Sequence, residues 1–243
     1  MNLLQGKRIA VFDLETQLSA QEVGGWDKAH RMKMSAGVLW DSYTGLMETY
    51  LEEDVDALVE DLHQADLVVG FNLVRFDYNV LCGYAPFAAH RDLSNLKTLD
   101  FLLEVQHILG HRLSLDSIAQ ATLGTSKSAD GLQAIKWYKE GQLDKIIEYC
   151  EKDVAVTRDI FLHALEKKYL CYTNRYGTGI SQFRIEIDLN RQIEGRPVHY
   201  PPNPSVRGKA EETHGPGQRP ADVSSLPEKT KDGTFIGGAS FSE

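Results

Sequence analysis

Acidic residues in three separate stretches of this chain sit in local patterns that direct their carboxylates to one side of a strand or helix. Asp13 and Glu15 lie in Val11-Phe12-Asp13-Leu14-Glu15-Thr16, Asp77 closes Asn72-Leu73-Val74-Arg75-Phe76-Asp77, and Asp153 follows Tyr149-Cys150-Glu151-Lys152. The first stretch reads as a strand, the second as a strand-to-helix junction and the third as a long helix. A fold that unites them must pack a helix against a sheet whose strand ends carry polar groups. Carboxylates and water are the ligands that Mg²⁺ and Mn²⁺ prefer, so the four acids are candidate metal ligands.

The surrounding pattern supplies such a sheet. Arg8 to Leu14 is rich in β-formers, and the stretches Ala36–Trp40 and Leu46–Leu51 read as two further strands joined by the turn Asp41-Ser42-Tyr43-Thr44-Gly45. Asp54 to Ala65 carries Val55, Leu58, Val59 and Leu62 at helical spacing. Leu67-Val68-Val69-Gly70 is wholly apolar, as befits a strand buried on both faces. From Thr98 to about Leu170 the pattern is helical, broken at Gly110, Gly124 and Gly141, and Phe183, Ile185, Ile187 and Leu189 then alternate with charged residues as in a half-buried strand. Three strands, a helix, a fourth strand and a run of helices predict an α/β fold with a mixed central sheet flanked by helices.

Each acid has a local reason to be where it is. Strand residues i and i+2 share a face, so Asp13 and Glu15 project together while Phe12 and Leu14 enter the opposite layer. Thr16, ending the strand, has a hydroxyl and a backbone for ligand contacts. Asp77 follows the buried strand by a short loop and opens a helix over Phe76–Leu81, where an acid serves either as a cap or as one of the functional residues that strand ends deliver in open α/β sheets. Asn72 is a polar support nearby, and Phe76 is either core or a base-stacking neighbour. Tyr149 and Asp153, four apart on a helix, lie on one face a turn apart. A phenol beside a metal-binding carboxylate can hold a water by hydrogen bond.

Beyond residue 190 the composition changes. Seven of the eight prolines fall there among Gly, Ser, Lys and Glu, and seven Lys/Arg balance seven Asp/Glu. Such a segment buries too little apolar surface to offset its chain entropy, so residues 1–189 are expected to form one domain and 190–243 a Pro/Gly-rich disordered tail. The formal charge of −9 then belongs to the domain and argues against long non-specific tracking along a duplex. Four of those charges are the candidate ligands, which divalent ions would neutralise. Met1 to Lys7 lacks a signal-peptide core, and no apolar run nears the roughly 18 residues that span a bilayer. Cys82, Cys150 and Cys171 are scattered, without a C-x-x-C, which fits a reduced, cytoplasmic setting and argues against a structural zinc site.

Taken together, D-x-E at Asp13 and Glu15, Asn72 followed five residues later by Asp77, and Y-x-x-x-D at Tyr149 and Asp153 resemble the DEDD (DnaQ-like) 3′–5′ exonuclease superfamily, built on the ribonuclease-H fold. A second branch of that superfamily has His five residues before the last Asp. Position 148 is Glu148, which places this chain with the tyrosine branch. Proofreading domains of family B DNA polymerases share the motif style. The stretches Ser114-Leu115-Asp116-Ser117-Ile118-Ala119 and Ala129 to Gly141 resemble the YprB-like ribonuclease-H-like family, whose members stand alone or beside helicase domains.

The resemblance implies hydrolysis of single-stranded nucleic acid from its 3′ end, with DNA favoured over RNA, to nucleoside 5′-monophosphates. It implies two ions, Mg²⁺ or Mn²⁺, about 4 Å apart. Asp13 would bridge them, Glu15 and Asp153 would hold the ion that activates water, Asp77 would support the second mainly through water, and Tyr149 would orient the nucleophile. Thr16, Asn72 and Phe76 are the expected substrate contacts. Partners would be nucleic acid ends and a helicase or other nucleic-acid-processing protein, with no membrane. Lys127, Lys136, Lys139 and Lys145 are either a solvated helix face or a phosphate-contacting rim, Trp137 and Tyr138 either core or stacking residues, and Leu18–Met34 a candidate flap. The rival readings are a nucleic-acid-binding or helicase-associated adaptor with weak or no catalysis, and an endonuclease or junction resolvase on the same fold; the latter has no need of Y-x-x-x-D.

Overall fold

The alternating strand Arg8–Leu14 becomes the centre of the molecule. A computed structural model describes residues 3–84, 92–125, 131–174 and 179–195. Its main sheet comprises β1 (Ile9–Thr16), β2 (Met34–Asp41), β3 (Met47–Tyr50), β4 (Leu67–Gly70) and β5 (Thr98–Asp100) in the order β3-β2-β1-β4-β5. Antiparallel pairing joins β1 to β2 and β2 to β3, and β4 and β5 add in parallel on the other side of β1. Only β2 runs against the rest, so the sheet is mixed, as the sequence pattern predicts.

Helices cover both faces. They are α1 (Ala20–Val23), α2 (Val55–Gln64), α3 (Asp77–Leu81), α4 (Phe101–Leu109), α5 (Leu115–Leu123), α6 (Gly131–Lys139), α7 (Leu143–Lys167) and α8 (Leu189–Glu194). The period of two along β1 divides the core. Ala10, Phe12 and Leu14 pack with Leu58 and Leu62 of α2 and Val80 and Leu81 of α3. Ile9 and Val11 pack with Val69 and with Cys150, Val154 and Phe161 of α7. Asp13 and Glu15 continue the second set, so the same alternation that buries Ile9 and Val11 brings these acids to the α7 side. The 25-residue α7 buries Ile146, Tyr149, Cys150, Asp153, Val154, Thr157, Ile160, Phe161 and Ala164, one stripe at spacings of three and four.

Two expectations change near the carboxyl end. The strand expected over Phe183–Leu189 is β7 (Ile180–Arg184), paired with β6 (Tyr169–Thr173) in a separate two-stranded sheet. The alternation misleads because Ile185 and Leu189 are buried while the chain has already left the strand. Asp188 then caps α8, its Oδ1 accepting from Arg191 N–H at 3.2 Å, and Leu189 is buried. This capped helix, Leu189–Glu194, lies across the boundary expected from composition at 189. Residues 196–243, the rest of the expected tail, lie outside the described residues, as does Lys127. Among the described residues no helix is long and apolar enough to cross a membrane.

Phe161 on α7 is fully buried between the helix layer and the sheet. Phe161→Ala is expected to lower unfolding free energy by about 3–5 kcal/mol, the range for deleting a buried aromatic, measured as a shift in the urea midpoint with unchanged slope.

Candidate metal centre

The carboxyl-terminal ends of the parallel strands β1 and β4 lie against α7. Asp13 and Glu15 project from the carboxyl-terminal half of β1, where the strand stays paired to β2 (Asp13 opposite Val38, Glu15 opposite Ala36) up to a register shift after Glu15. Asp77 follows β4 as the first residue of α3, and Asp153 lies on α7. Among the described residues, Asp13, Glu15 and Asp153 each offer a carboxylate oxygen within 4.8 Å of the other two. Two oxygens on opposite sides of one octahedral Mg²⁺ stand about 4.2 Å apart, twice a bond of roughly 2.1 Å. A small contraction of the three carboxylates therefore suffices to hold one hard divalent ion, and the all-oxygen set suits Mg²⁺ or Mn²⁺ rather than a thiophilic metal.

Asp77 stands outside that tight group but close to it. It is 2% exposed, and its Oδ1 accepts from the backbone N–H of Leu14 at 3.2 Å, between the two acids of β1. Burial, and then the charge of Asp13, push its carboxyl well above the usual carboxylate range. Both effects disfavour its charged form relative to an exposed carboxylate.

Tyr149 is buried and its hydroxyl hydrogen-bonds to Asp153. Burial, then the charges of Asp153, Glu15 and Asp13, push the phenol far above its ordinary value. It is therefore a neutral donor rather than a base. Cys150, beside it, is a contact that sequence reasoning missed. Its fully buried thiol donates to the Asp13 carbonyl oxygen at 3.3 Å and lies 3.7 Å from Asp13 Oδ2, stitching α7 to β1. Burial first, and the surrounding acids second, keep it a thiol.

The other expected contacts divide. Thr16 is buried, and its hydroxyl donates to Leu18 O at 3.1 Å, which commits its proton within the chain. Asn72 holds φ at +71°, and its side-chain oxygen is buried without a hydrogen-bond partner. Phe76 is half-buried and meets Trp26 edge-on, ring centroids 5.9 Å apart. Trp26 is 72% exposed, whereas Ala29 and Met32 in the same Leu18–Met34 segment are buried, so the candidate flap has a fixed base and an open tip. Trp137 on α6 packs edge-on against Tyr149 at 6.2 Å, and Tyr138 is exposed. Of the α6 lysines, Lys139 is paired with Glu22 of α1, while Lys136 is exposed.

A family model described as the RNase_H superfamily matches residues 10–165, and the chain belongs to that superfamily. The matched span holds all four acids and Tyr149. Among solved structures, the fold is similar to that of the family B DNA polymerase from the hyperthermophilic archaeon Pyrobaculum calidifontis, at 14% identity and a TM-score of 0.50. That likeness covers 65% of this chain and 24% of the polymerase, so this chain spans about a quarter of its length. No curated protein matches the sequence.

The raised Asp77 carboxyl has a consequence for stability. A folded-state proton affinity above the unfolded one stabilises the fold fully below the unfolded value, near pH 4, and the contribution is lost as pH rises toward the folded value. Each tenfold difference in affinity is worth about 1.4 kcal/mol. In EDTA, Asp77→Asn is expected to melt above the wild type at pH 8, with the difference shrinking toward pH 4. Equal pH profiles for the two proteins would contradict the assignment.

Proposed function

We propose that this protein is a metal-dependent 3′–5′ exonuclease that hydrolyses single-stranded nucleic acid ends, DNA in preference to RNA, to nucleoside 5′-monophosphates. The observation that carries the reading is the convergence of Asp13, Glu15 and Asp153 within 4.8 Å, with the Tyr149 hydroxyl on Asp153. Membership of the RNase_H superfamily supports nuclease chemistry, and the tyrosine-branch motif supports the 3′–5′ direction.

The residues take distinct parts. Asp13, Glu15 and Asp153 would hold a divalent ion between them, and Asp77, whose carboxyl feels the charge of Asp13, would serve a second ion through water. Bound there, the ions would acidify the attacking water and offset charge on the phosphodiester. With its own proton turned to Asp153, the Tyr149 oxygen would accept a hydrogen bond from the attacking water and turn that water's lone pair toward phosphorus. Its raised proton affinity makes it a positioner throughout. Asn72 offers an unused acceptor beside Asp77, and Phe76 offers a ring for an unpaired base. A helicase or another nucleic-acid-processing protein would deliver the single strand.

The test uses 5′-labelled single-stranded DNA and RNA with Mg²⁺ or Mn²⁺, and EDTA as a control. A ladder shortening from the 3′ end is expected, faster on DNA. Asp13→Ala and Asp153→Ala are expected to remove it while leaving far-UV circular dichroism unchanged. Tyr149→Phe is expected to lower kcat toward the low end of the roughly 10²–10⁴-fold range of positioned proton-handling groups. Folded protein that cleaves neither strand with either metal would instead favour a binding module.

A further inference from the structure

We propose that Asp100 is a positioning residue of the metal centre: its buried carboxylate shapes the loop between β4 and α3 and so fixes where Asp77 stands. The inference rests on the exonuclease reading only in that Asp77 serves an ion there.

Asp100 ends β5 opposite Gly70, the last residue of β4, and none of its surface is exposed. Its two oxygens work on two elements. Oδ1 accepts from Asn72 N–H at 2.8 Å and from Leu102 N–H at 3.0 Å, and Oδ2 accepts from Val74 N–H at 3.1 Å. The Leu103 N–H adds a further bond. One carboxylate thus caps α4 and grips the β4–α3 loop at two alternate residues.

The loop needs such a grip. Asn72 lies in the left-handed region at φ +71°, which a residue with a Cβ adopts only when its surroundings hold it. Leu73 is fully buried over Gly70, where a Cβ would stand 2.5 Å from Leu73 Cγ, so the loop turns tightly back onto the strand end. Phe76 N–H then bonds to Asn72 O at 3.0 Å and Tyr78 N–H to Leu73 O at 2.9 Å, which carries the loop directly into α3. Asp77 lies between those two donors. Two fixed N–H groups upstream and two such bonds downstream leave its backbone no independent freedom.

A cap alone would not require this residue. Serine or asparagine supplies one acceptor for the α4 terminus, but only a carboxylate has a second acceptor to reach Val74. Asp100→Ser therefore keeps a cap for Leu102 and releases the loop, and Asp100→Asn keeps the size while turning an NH₂ toward one of the N–H groups.

The experiment is Mn²⁺ titration of the full chain, followed by electron paramagnetic resonance, for the wild type, Asp100→Ser, Asp100→Asn, Asp77→Asn and the Asp77→Asn/Asp100→Ser double variant. Melting in EDTA accompanies each titration to certify folding. Two classes of Mn²⁺ site are expected in the wild type. Asp100→Ser should weaken the class that Asp77→Asn weakens, by about 10–100-fold as for other residues that orient metal ligands, and leave the other class intact. The double variant should bind no worse than Asp77→Asn alone. Wild-type Mn²⁺ classes in a folded Asp100→Ser or Asp100→Asn protein, even one that melts lower, would reduce Asp100 to a structural cap and overturn the proposal. Additive losses in the double variant would do the same. A wild type that binds no Mn²⁺ would overturn the metal-centre reading, and this proposal with it.

Discussion

Mutual repulsion among buried carboxylates governs this structure. Two unit charges at 4.8 Å, the spread of the Asp13, Glu15 and Asp153 oxygens, repel by about 3–4 kcal/mol at an effective dielectric constant of 20. Three such pairs cannot persist unless the elements bearing them are held together by something stronger, and Asp77 and Asp100 add further acid nearby. What holds them is apolar. The stripe of α7 from Cys150 to Ala164 lies on Ile9, Val11 and Val69, and the opposite face of the same strands is closed by α2 and α3. The core is thus the restoring force against which the site is assembled.

Where carboxyl groups are buried, the fold places N–H dipoles against them. Asp77 receives Leu14 N–H, and Asp100 receives the N–H groups of Asn72, Val74 and Leu102. The donors come from the half of β1 that β4 no longer pairs, from the β4–α3 loop and from the start of α4, where backbone groups lack partners in the sheet or helix. The tendency of open α/β sheets to put polar chemistry at the carboxyl ends of their strands follows from the same supply of free donors. Cys150 adds a weak donor on the helix side, one that touches Asp13 without competing strongly for its oxygens.

Much of this was legible from residue order. The two-residue period placed Asp13 and Glu15 on one face, and the four-residue spacing placed Tyr149 with Asp153, because both depend only on local backbone geometry. The wholly apolar Leu67–Gly70 declared a central strand, and the mixed sheet followed from the element order. The hidden parts depend on distant partners. β5 has three residues and runs straight into the apolar α4, so Thr98-Leu99-Asp100 reads as more helix and Asp100 goes unnoticed. The Cys150–Asp13 contact joins residues 137 apart, and no local pattern announces it. Alternation at 183–189 was real burial in the wrong backbone, since Ile185 and Leu189 are buried outside any strand.

The wide spacing of the acids along the chain has a thermodynamic side. Asp13 and Asp153 come from the first strand and the longest helix, so the unfolded chain holds no cluster for a cation to find. An ion captured only by the native arrangement stabilises it by RT ln(1 + [ion]/Kd), about 2.7 kcal/mol at a hundredfold excess over Kd. Lifting α7 from β1 would release that ion before the remaining core opened. Free divalent cation concentration would thus set the resistance of this protein to unfolding as well as its readiness to act.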